Sequence, residues 1–263
     1  PEGAIPTLNF FVLDNQAFLD ALGRGLGDRA LVMGITRCAP RPTCDAFMQG
    51  RADADSLRLY NSAAVIDGVS GVTRLGQVYD KHHLVPFGEY IPFWGLLRNL
   101  HIAPLQQIGA GFMPGPPPTR LILPGAPPAV VLICYESIFP GMSPRGDERP
   151  GWMINISNDA WFGDPRLFSG PWQHFEIARY RTIEEGIPMA RAASGGISGI
   201  VDSFGRVVRS TSRRGGFAEA QLPPALVETT FARYGNLLLI CMLCLTLAVR
   251  FLPPWRATGD RQR

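Results

Sequence analysis

Charge is scarce in this sequence. Lys, Arg, Asp and Glu together make up 18% of its 263 residues and sum to a formal net charge of +3. The basic residues are scattered, apart from short clusters such as Arg213–Arg214 and the arginine-bearing C-terminus. No basic stripe is interleaved with aromatics, which excludes a nucleic-acid-binding surface. Cysteine is sparse too, at positions 38, 44, 134, 241 and 244. An odd number leaves at least one thiol outside any intramolecular pair. No Cys/His cluster has zinc-ligand spacing, and no other pattern calls for a metal or organic cofactor. Cys38 and Cys44 can pair in an oxidising compartment or remain two thiols in a loop. No initiator Met, signal peptide or first strand precedes Pro1-Glu2-Gly3-Ala4-Ile5-Pro6, so the chain reads as a fragment whose upstream part is missing.

What is present is apolar residue and turn residue. Apolar side chains make up 46% of the chain, enough for a sizeable core, and 29 Gly with 24 Pro imply many turns between short strands. Spaced apolar positions (Phe18, Leu19, Leu22, Leu26) predict a helix over Asn15 to Leu26. Strands are predicted at Ala30 to Ile35, Leu57 to Ile66, Arg74 to Tyr79 and Trp152 to Ile156. Ala129 to Cys134, continuous and β-branched, predicts a central strand. Pro171 to Glu185 has helical composition and stops at Gly186, and Ile200 to Arg209 reads as a hairpin around Ser203-Phe204-Gly205-Arg206. Strands interleaved with helices predict a layered α/β sandwich.

The composition changes near the end. Gly235 to Val249 carries no charge and, with Phe251 and Leu252, approaches the roughly 20 residues that a membrane span needs. Its apolar residues run all round a helix, unlike those of a half-buried core helix. Arg250, Arg256, Arg261 and Arg263 follow it, whereas only Arg214 and Arg233 precede it at similar distance. The positive-inside rule then places the C-terminus in the cytoplasm and the preceding domain in the periplasm of a bacterial inner membrane. The expected organisation is a catalytic domain over residues 1–230, a transmembrane helix over 231–252 and a cytoplasmic tail over 253–263.

Three strings carry reactive chemistry. Cys134 ends an apolar strand just where the chain turns polar at Tyr135-Glu136, a place that presents a sulfur at a sheet edge. Lys81 stands in Tyr79-Asp80-Lys81-His82-His83-Leu84-Val85-Pro86-Phe87-Gly88-Glu89. A lysine beside a thiol lowers its pKa and stabilises an oxyanion. Glu2 offers a carboxylate that takes a thiol proton. Taken singly, each has an ordinary reading: a core thiol, a solvated ammonium and an exposed terminal carboxylate. His82 and His83 read as hydrogen-bonded structural residues, His174 as a local hydrogen-bonding group, and Asn158 and Asp159 as shapers of the loop after a strand. Cys241 and Cys244 read as apolar filler.

Together the strings Pro1-Glu2, Tyr79 to Pro92, Ile133-Cys134-Tyr135-Glu136, Asn155 to Gly163 and Gln173 to Asp202 resemble the nitrilase (carbon–nitrogen hydrolase) superfamily and, within it, the apolipoprotein N-acyltransferases. The resemblance implies a nitrilase-like αββα sandwich followed by one C-terminal transmembrane helix. It makes Glu2 the general base, Lys81 the oxyanion-stabilising group and Cys134 the nucleophile, with Glu89, Tyr135 and Glu136 as supporting residues. It implies acyl transfer from a membrane phospholipid donor, through a Cys thioester, to the N-terminal diacylglyceryl-cysteine of an apolipoprotein. Nitrilase-type amidases of small amides use the same triad and are the alternative. Ala193-Ser194-Gly195-Gly196-Ile197-Ser198 departs from the expected Asn-Thr-Gly-Ile-Ser and is read as a tolerated backbone-contact change. The apolar run Tyr90-Ile91-Pro92-Phe93-Trp94-Gly95-Leu96-Leu97 reads either as a core loop or as a lid that admits lipid, the lid having Phe93 and Trp94 on one side of the entry, Trp161 and Phe162 opposite, and Gly88 and Gly95 as hinges.

Overall fold

The computed structural model describes residues 1–4, 15–53, 56–69, 72–97, 111–163, 169–211 and 216–251. Helix α1 (Gln16–Leu26) begins where the Asn15 side chain accepts from the Phe18 N–H at 3.1 Å. Three antiparallel strands follow, β1 (Ala30–Ala39), β2 (Arg58–Val69) and β3 (Val72–Asp80), with helix α2 (Arg41–Met48) between the first two. The one-turn helix α3 (Trp94–Leu97) comes next. A second sheet runs in sequence order: β4 (Arg120–Leu121), β5 (Ala129–Ile133), β6 (Trp152–Asn158), β7 (Met189–Ser194), β8 (Gly199–Val201) and β9 (Val207–Ser210). Its centre, β5, β6 and β7, is parallel, and its flanks are antiparallel. Helix α4 (Gly170–Glu185) links β6 to β7, the crossover that parallel strands require. Helices α5 (Thr230–Tyr234) and α6 (Leu237–Phe251) close the described chain.

Strand alternation sorts the core into three layers. Ala129, Val131 and Ile133 of β5 face inward with Ala63, Val65, Ile154 and Ile156, filling the space between the two sheets. Val130 and Leu132, on the opposite face of the same strand, pack with Phe175 and Ala178 of α4. On the other outer side Met33, Ile35, Ala64 and Ile66 pack against Leu19 of α1. The order is helix, sheet, sheet, helix, the expected αββα sandwich.

The structure also corrects several expectations. Strand β5 stops at Ile133, because Cys134 turns to φ 47° and opens a short 3₁₀ turn, Cys134–Ile138. Cys38 and Cys44 form a disulfide, and they lie on β1 and α2 rather than in a loop. Helix α2 and strand β7 had no counterpart among the predicted elements. Among the described residues no helix is long and apolar enough to cross a membrane. Helix α6 has 15 residues, about 22 Å of rise against the ~30 Å of a bilayer core. Leu252 and the tail 253–263 lie outside the described residues, so the expected 231–252 span is seen only in part.

Candidate active site

The carboxyl ends of the parallel strands are where open α/β sheets gather their functional groups. Cys134 follows β5, and beside it Asn158 ends β6 and Asp159 follows. Across the sandwich, β3 ends at Asp80 and delivers Lys81, whose backbone N–H is held by the Asn61 carbonyl at 2.8 Å. Glu2 arrives by a different route. Pro1 and Glu2 lie against β1, where the Gly34 N–H donates to the Pro1 carbonyl at 3.2 Å. A Cβ on Gly34 would stand 2.6 Å from the Glu2 Cα, so only glycine lets this segment pass.

The Lys81 side chain is 1% exposed and ends between two carboxylates, with Nζ 3.3 Å from Glu2 Oε1 and 2.9 Å from Glu89 Oε1. Burial by itself would lower its pKa, but Glu2, Glu89 and Cys134 together outweigh burial and raise it, so the ammonium is retained. Asn61 completes the cluster. Its Nδ2 donates to Glu2 Oε1 at 2.5 Å and to Glu89 Oε1 at 2.6 Å, using both amide protons. The Asn158 N–H holds Glu2 Oε2 at 2.9 Å, and the Val85 N–H holds Glu89 Oε2 at 2.8 Å. Both carboxylates are thereby fixed from both oxygens.

The Cys134 thiol is pushed up to about 11. Burial is the main cause and the Glu2 charge adds to it, while Lys81, the Ser157 hydroxyl and the Asn158 N–H pull it down. The resting sulfur is therefore a neutral thiol, which can act as a nucleophile only where a base takes its proton. The cysteine's φ of 47° is rare for a side-chain-bearing residue and stores strain at the reactive position.

A cavity of about 610 Å³ opens over these groups. Glu2, Asn61, Lys81, Glu89 and Cys134 form its polar floor, and Val85, Phe112, Tyr135, Ile138, Trp161, Phe162 and Ile177 form its apolar walls. Of the expected site residues, then, Glu2, Lys81, Cys134, Glu89 and Tyr135 come together, and Trp161 and Phe162 stand at the wall. Phe93 and Trp94 do not line the cavity. Phe93 is 83% exposed and Trp94 half-buried on α3.

Glu136 does not line it either. It is fully buried, and its carboxylate accepts from the Tyr79 hydroxyl and the N–H groups of His82, His83 and Ile133 at 2.7–3.1 Å. It ties the Cys134 turn to the end of β3, supporting the site through the backbone. His82 and His83 are structural as expected, the first on the Gly115 carbonyl and the second stacked on Phe139.

Several participants had escaped the sequence reading. Asn61 looked like one more strand residue. Asp159, expected to shape a loop, is wholly buried and ion-paired to Arg191 of β7 at 2.7 Å. His174 is far from local, bridging Asp159 and the Cys134 turn. A Cβ on Gly196 would stand 2.0 Å from Asp159 Oδ2, so the departing Gly195-Gly196 string is what admits this carboxylate. One signal was available in the composition. Lys81 is the only lysine among 25 basic residues, the other 24 being arginine. A lone ammonium in an arginine-rich chain singles out a position where a compact point charge differs from a planar guanidinium.

Residues 28–231 match the model of the carbon-nitrogen hydrolase family. An apolipoprotein N-acyltransferase of Bradyrhizobium diazoefficiens is 45% identical over 196 residues, covering 73% of this chain and 35% of that protein. One from Rhodopseudomonas palustris is 41% identical over 201 residues, covering 75% of this chain and 36% of that protein. The chain thus spans about a third of the length of these curated relatives. The crystal structure of a carbon-nitrogen hydrolase from Helicobacter pylori superposes with a TM-score of 0.50 at 16% identity, over 78% of this chain and 65% of that one, a likeness of fold.

Proposed function

The chain belongs to the carbon–nitrogen hydrolase family, and we propose that it is the catalytic domain of an apolipoprotein N-acyltransferase working through Glu2, Lys81 and Cys134. The observation that carries the reading is the cavity itself, a buried Cys–Lys–Glu floor under a wall of Trp161, Phe162, Phe112, Ile138 and Ile177. Such walls suit an acyl chain better than a small polar amide. The names of the relatives support the same choice over the amidase alternative.

In the first half-reaction the neutral Cys134 thiol gives its proton to Glu2 as the sulfur attacks an ester carbonyl of a phospholipid. The oxyanion is stabilised by the Lys81 ammonium and the Tyr135 backbone N–H. Collapse breaks the C–O bond, the proton returns from Glu2 to the leaving oxygen, and a lysophospholipid departs from a thioester on Cys134. In the second half the α-amine of a diacylglyceryl-cysteine attacks the thioester, Glu2 takes the amine proton, the C–S bond breaks, and Glu2 passes the proton to the departing sulfur, which restores the neutral thiol. Glu89 and Asn61 hold Lys81 and Glu2 throughout, so the charges need not reorganise as the oxyanion forms.

A membrane setting belongs to this reading. No residue of α6 is buried, and its fifteen residues carry one charge, Arg250, an apolar surface that does not stay in water. In this reading the apolar run from Gly235 to Leu252 enters the membrane, with residues 253–263 in the cytoplasm and the domain in the periplasm. The Cys38–Cys44 disulfide supports an oxidising compartment. Exposed Phe93, with Trp94 beside it, is proposed to meet the lipid surface outside the cavity rather than to wall it.

The test is transfer by the full-length protein in mixed micelles of phospholipid and a diacylglyceryl-cysteine peptide, followed by mass spectrometry. N-acyl peptide and lysophospholipid in equal amounts are expected. Hydrolysis of small amides without acyl transfer would replace this reading by the amidase one.

A further inference from the structure

His174 is 4% exposed on the first turns of α4, and nothing in the chemistry above uses it. Its ring nonetheless reaches the nucleophile's own backbone. Nδ1 stands 2.8 Å from Asp159 Oδ1, and Nε2 stands 3.1 Å from both the Cys134 carbonyl oxygen and Ser137 Oγ. Ser137 Oγ donates to the same carbonyl at 2.8 Å. Asp159 is anchored on its other oxygen by Arg191 at 2.7 Å, and its Oδ1 also accepts from the Ser157 hydroxyl at 2.6 Å. These contacts run as one chain from Ser157 through Asp159 and His174 to the Cys134 carbonyl. The chain ends on a residue whose φ of 47° would relax toward the right-handed or extended regions if it were released. A strained residue keeps its conformation only where its surroundings over-determine it.

We propose that His174 is a positioning residue for Cys134, acting through the Cys134 carbonyl and Ser137 to hold the left-handed turn that aims the sulfur at the cavity. The inference rests on the reading of Cys134 as the nucleophile. Two amide substitutions divide the imidazole's functions. His174→Asn keeps a polar group at the Nδ1 position, toward Asp159, and loses the reach to Cys134. His174→Gln places an amide near Nε2, toward the Cys134 carbonyl. A purely structural histidine, valued for filling space beside Phe162, which sits 5.6 Å from its ring, would not distinguish the two in thiol reactivity.

The experiment is the rate of Cys134 alkylation by iodoacetamide in the full-length protein, read by peptide mass spectrometry so that the exposed thiols Cys241 and Cys244 do not contribute. Among variants with a cooperative thermal transition, His174→Asn is expected to slow alkylation by about tenfold or more, and His174→Gln to stay within about threefold of wild type. Equal rates in the two variants overturn the proposal. Should His174→Asn fail to fold, Ser137→Ala removes only the hydroxyl that braces the Cys134 carbonyl beside His174, and an unchanged rate there overturns it equally. A wild-type Cys134 that resists alkylation altogether contradicts the nucleophile reading itself, a failure separate from that of the variants.

Discussion

The two ends of α4 bury charge in different ways. At its start, His174 meets Asp159 and Arg191, all at 4% exposure or less, and each charged group has partners. Arg191 forks onto Asp159 and Asn155, and Asp159 also accepts from Ser157 and His174. At its end, Arg181, Glu184 and Glu185 gather with Arg149, and four of their polar atoms lack partners among the described residues: Arg181 Nε, Arg149 Nε, Glu184 Oε2 and Glu185 Oε1. The consequences appear in the carboxyl groups. Asp159 is held below its ordinary value even though burial opposes this, because His174, Arg191 and Ser157 outweigh burial. Glu185 is pushed up to about 7 by burial first and the Glu184 charge second, against the pull of Arg145, Arg149 and Arg181. A buried charge serves a reacting centre only when its hydrogen bonds are complete, because only then does it stay charged and stay put. The second cluster underlies α5 and the root of α6, where Arg149 reaches the Glu185 and Leu226 carbonyls and Arg145 packs on Gly235.

The same chemical change, acid to amide, therefore has opposite effects at the two ends. Asp159→Asn is the larger. It leaves Arg191 without its counter-ion in a site closed to water, which costs on the order of 3–5 kcal/mol at neutral pH, read as a fall in Tm. It also alters the acid profile. A carboxyl held low in the folded state contributes stability above its unfolded value of 3.8 that is lost as the pH falls through the folded value. Wild-type Tm should fall as the pH drops below the unfolded value of 3.8, and Asp159→Asn should flatten that slope. A variant as stable as wild type with the same slope would show that the network carries no stability.

Glu136→Gln comes next. Its carboxylate accepts from four donors, and an amide nitrogen in its place would face N–H groups it cannot satisfy. The expected cost is about 2–3 kcal/mol by chemical denaturation, with a slower Cys134 as the turn loosens. Retained stability would mean that the four contacts are not made together.

Glu185→Gln should stabilise. The unfolded carboxyl ionises near 4.5 and the folded one near 7, so wild type loses stability as the pH rises through that window and does not recover it above. The amide removes this loss, a gain of roughly 1–3 kcal/mol above pH 7 that disappears below about pH 4.5. Destabilisation at pH 8 would show the carboxylate to be well paired. The smallest effect is expected from Arg145→Ala. An exposed guanidinium contributes about 1 kcal/mol or less, but its loss should push Glu185 higher still, visible as a shift of the same pH window.

Much of this was legible in the sequence, and the gaps have physical causes. Strand β5 announced itself because both its faces are buried, giving an unbroken apolar run, and α1 because only one face is. Strand β7, Met-Ala-Arg-Ala-Ala-Ser, has no β-branched residue and puts an arginine into the interior, so composition argued against it until Asp159 supplied the counter-charge. Helix α2 opens on Arg41-Pro42, a proline that a first turn tolerates, and its eight residues are too few for an apolar periodicity to stand out. Within the site, Glu2, Lys81, Glu89 and Cys134 were found through the strings around them. Asn61 and His174 were not, because their roles come from partners 28 to 59 and 15 to 40 residues away in the chain.

The central claim is that a neutral Cys134 thiol is activated by Glu2 against a preformed Lys81 charge. It is tested most directly by intact-protein mass spectrometry of the full-length enzyme after a single exposure to phospholipid without acceptor. Wild type should gain one acyl mass on Cys134, removable by hydroxylamine. Glu2→Gln and Lys81→Arg should form this adduct at least about a hundredfold more slowly while remaining folded, since the first lacks the base and the second places a planar cation where a point charge is needed. Adduct formation at the wild-type rate in Glu2→Gln, or acyl transfer persisting in Cys134→Ala, would contradict the account.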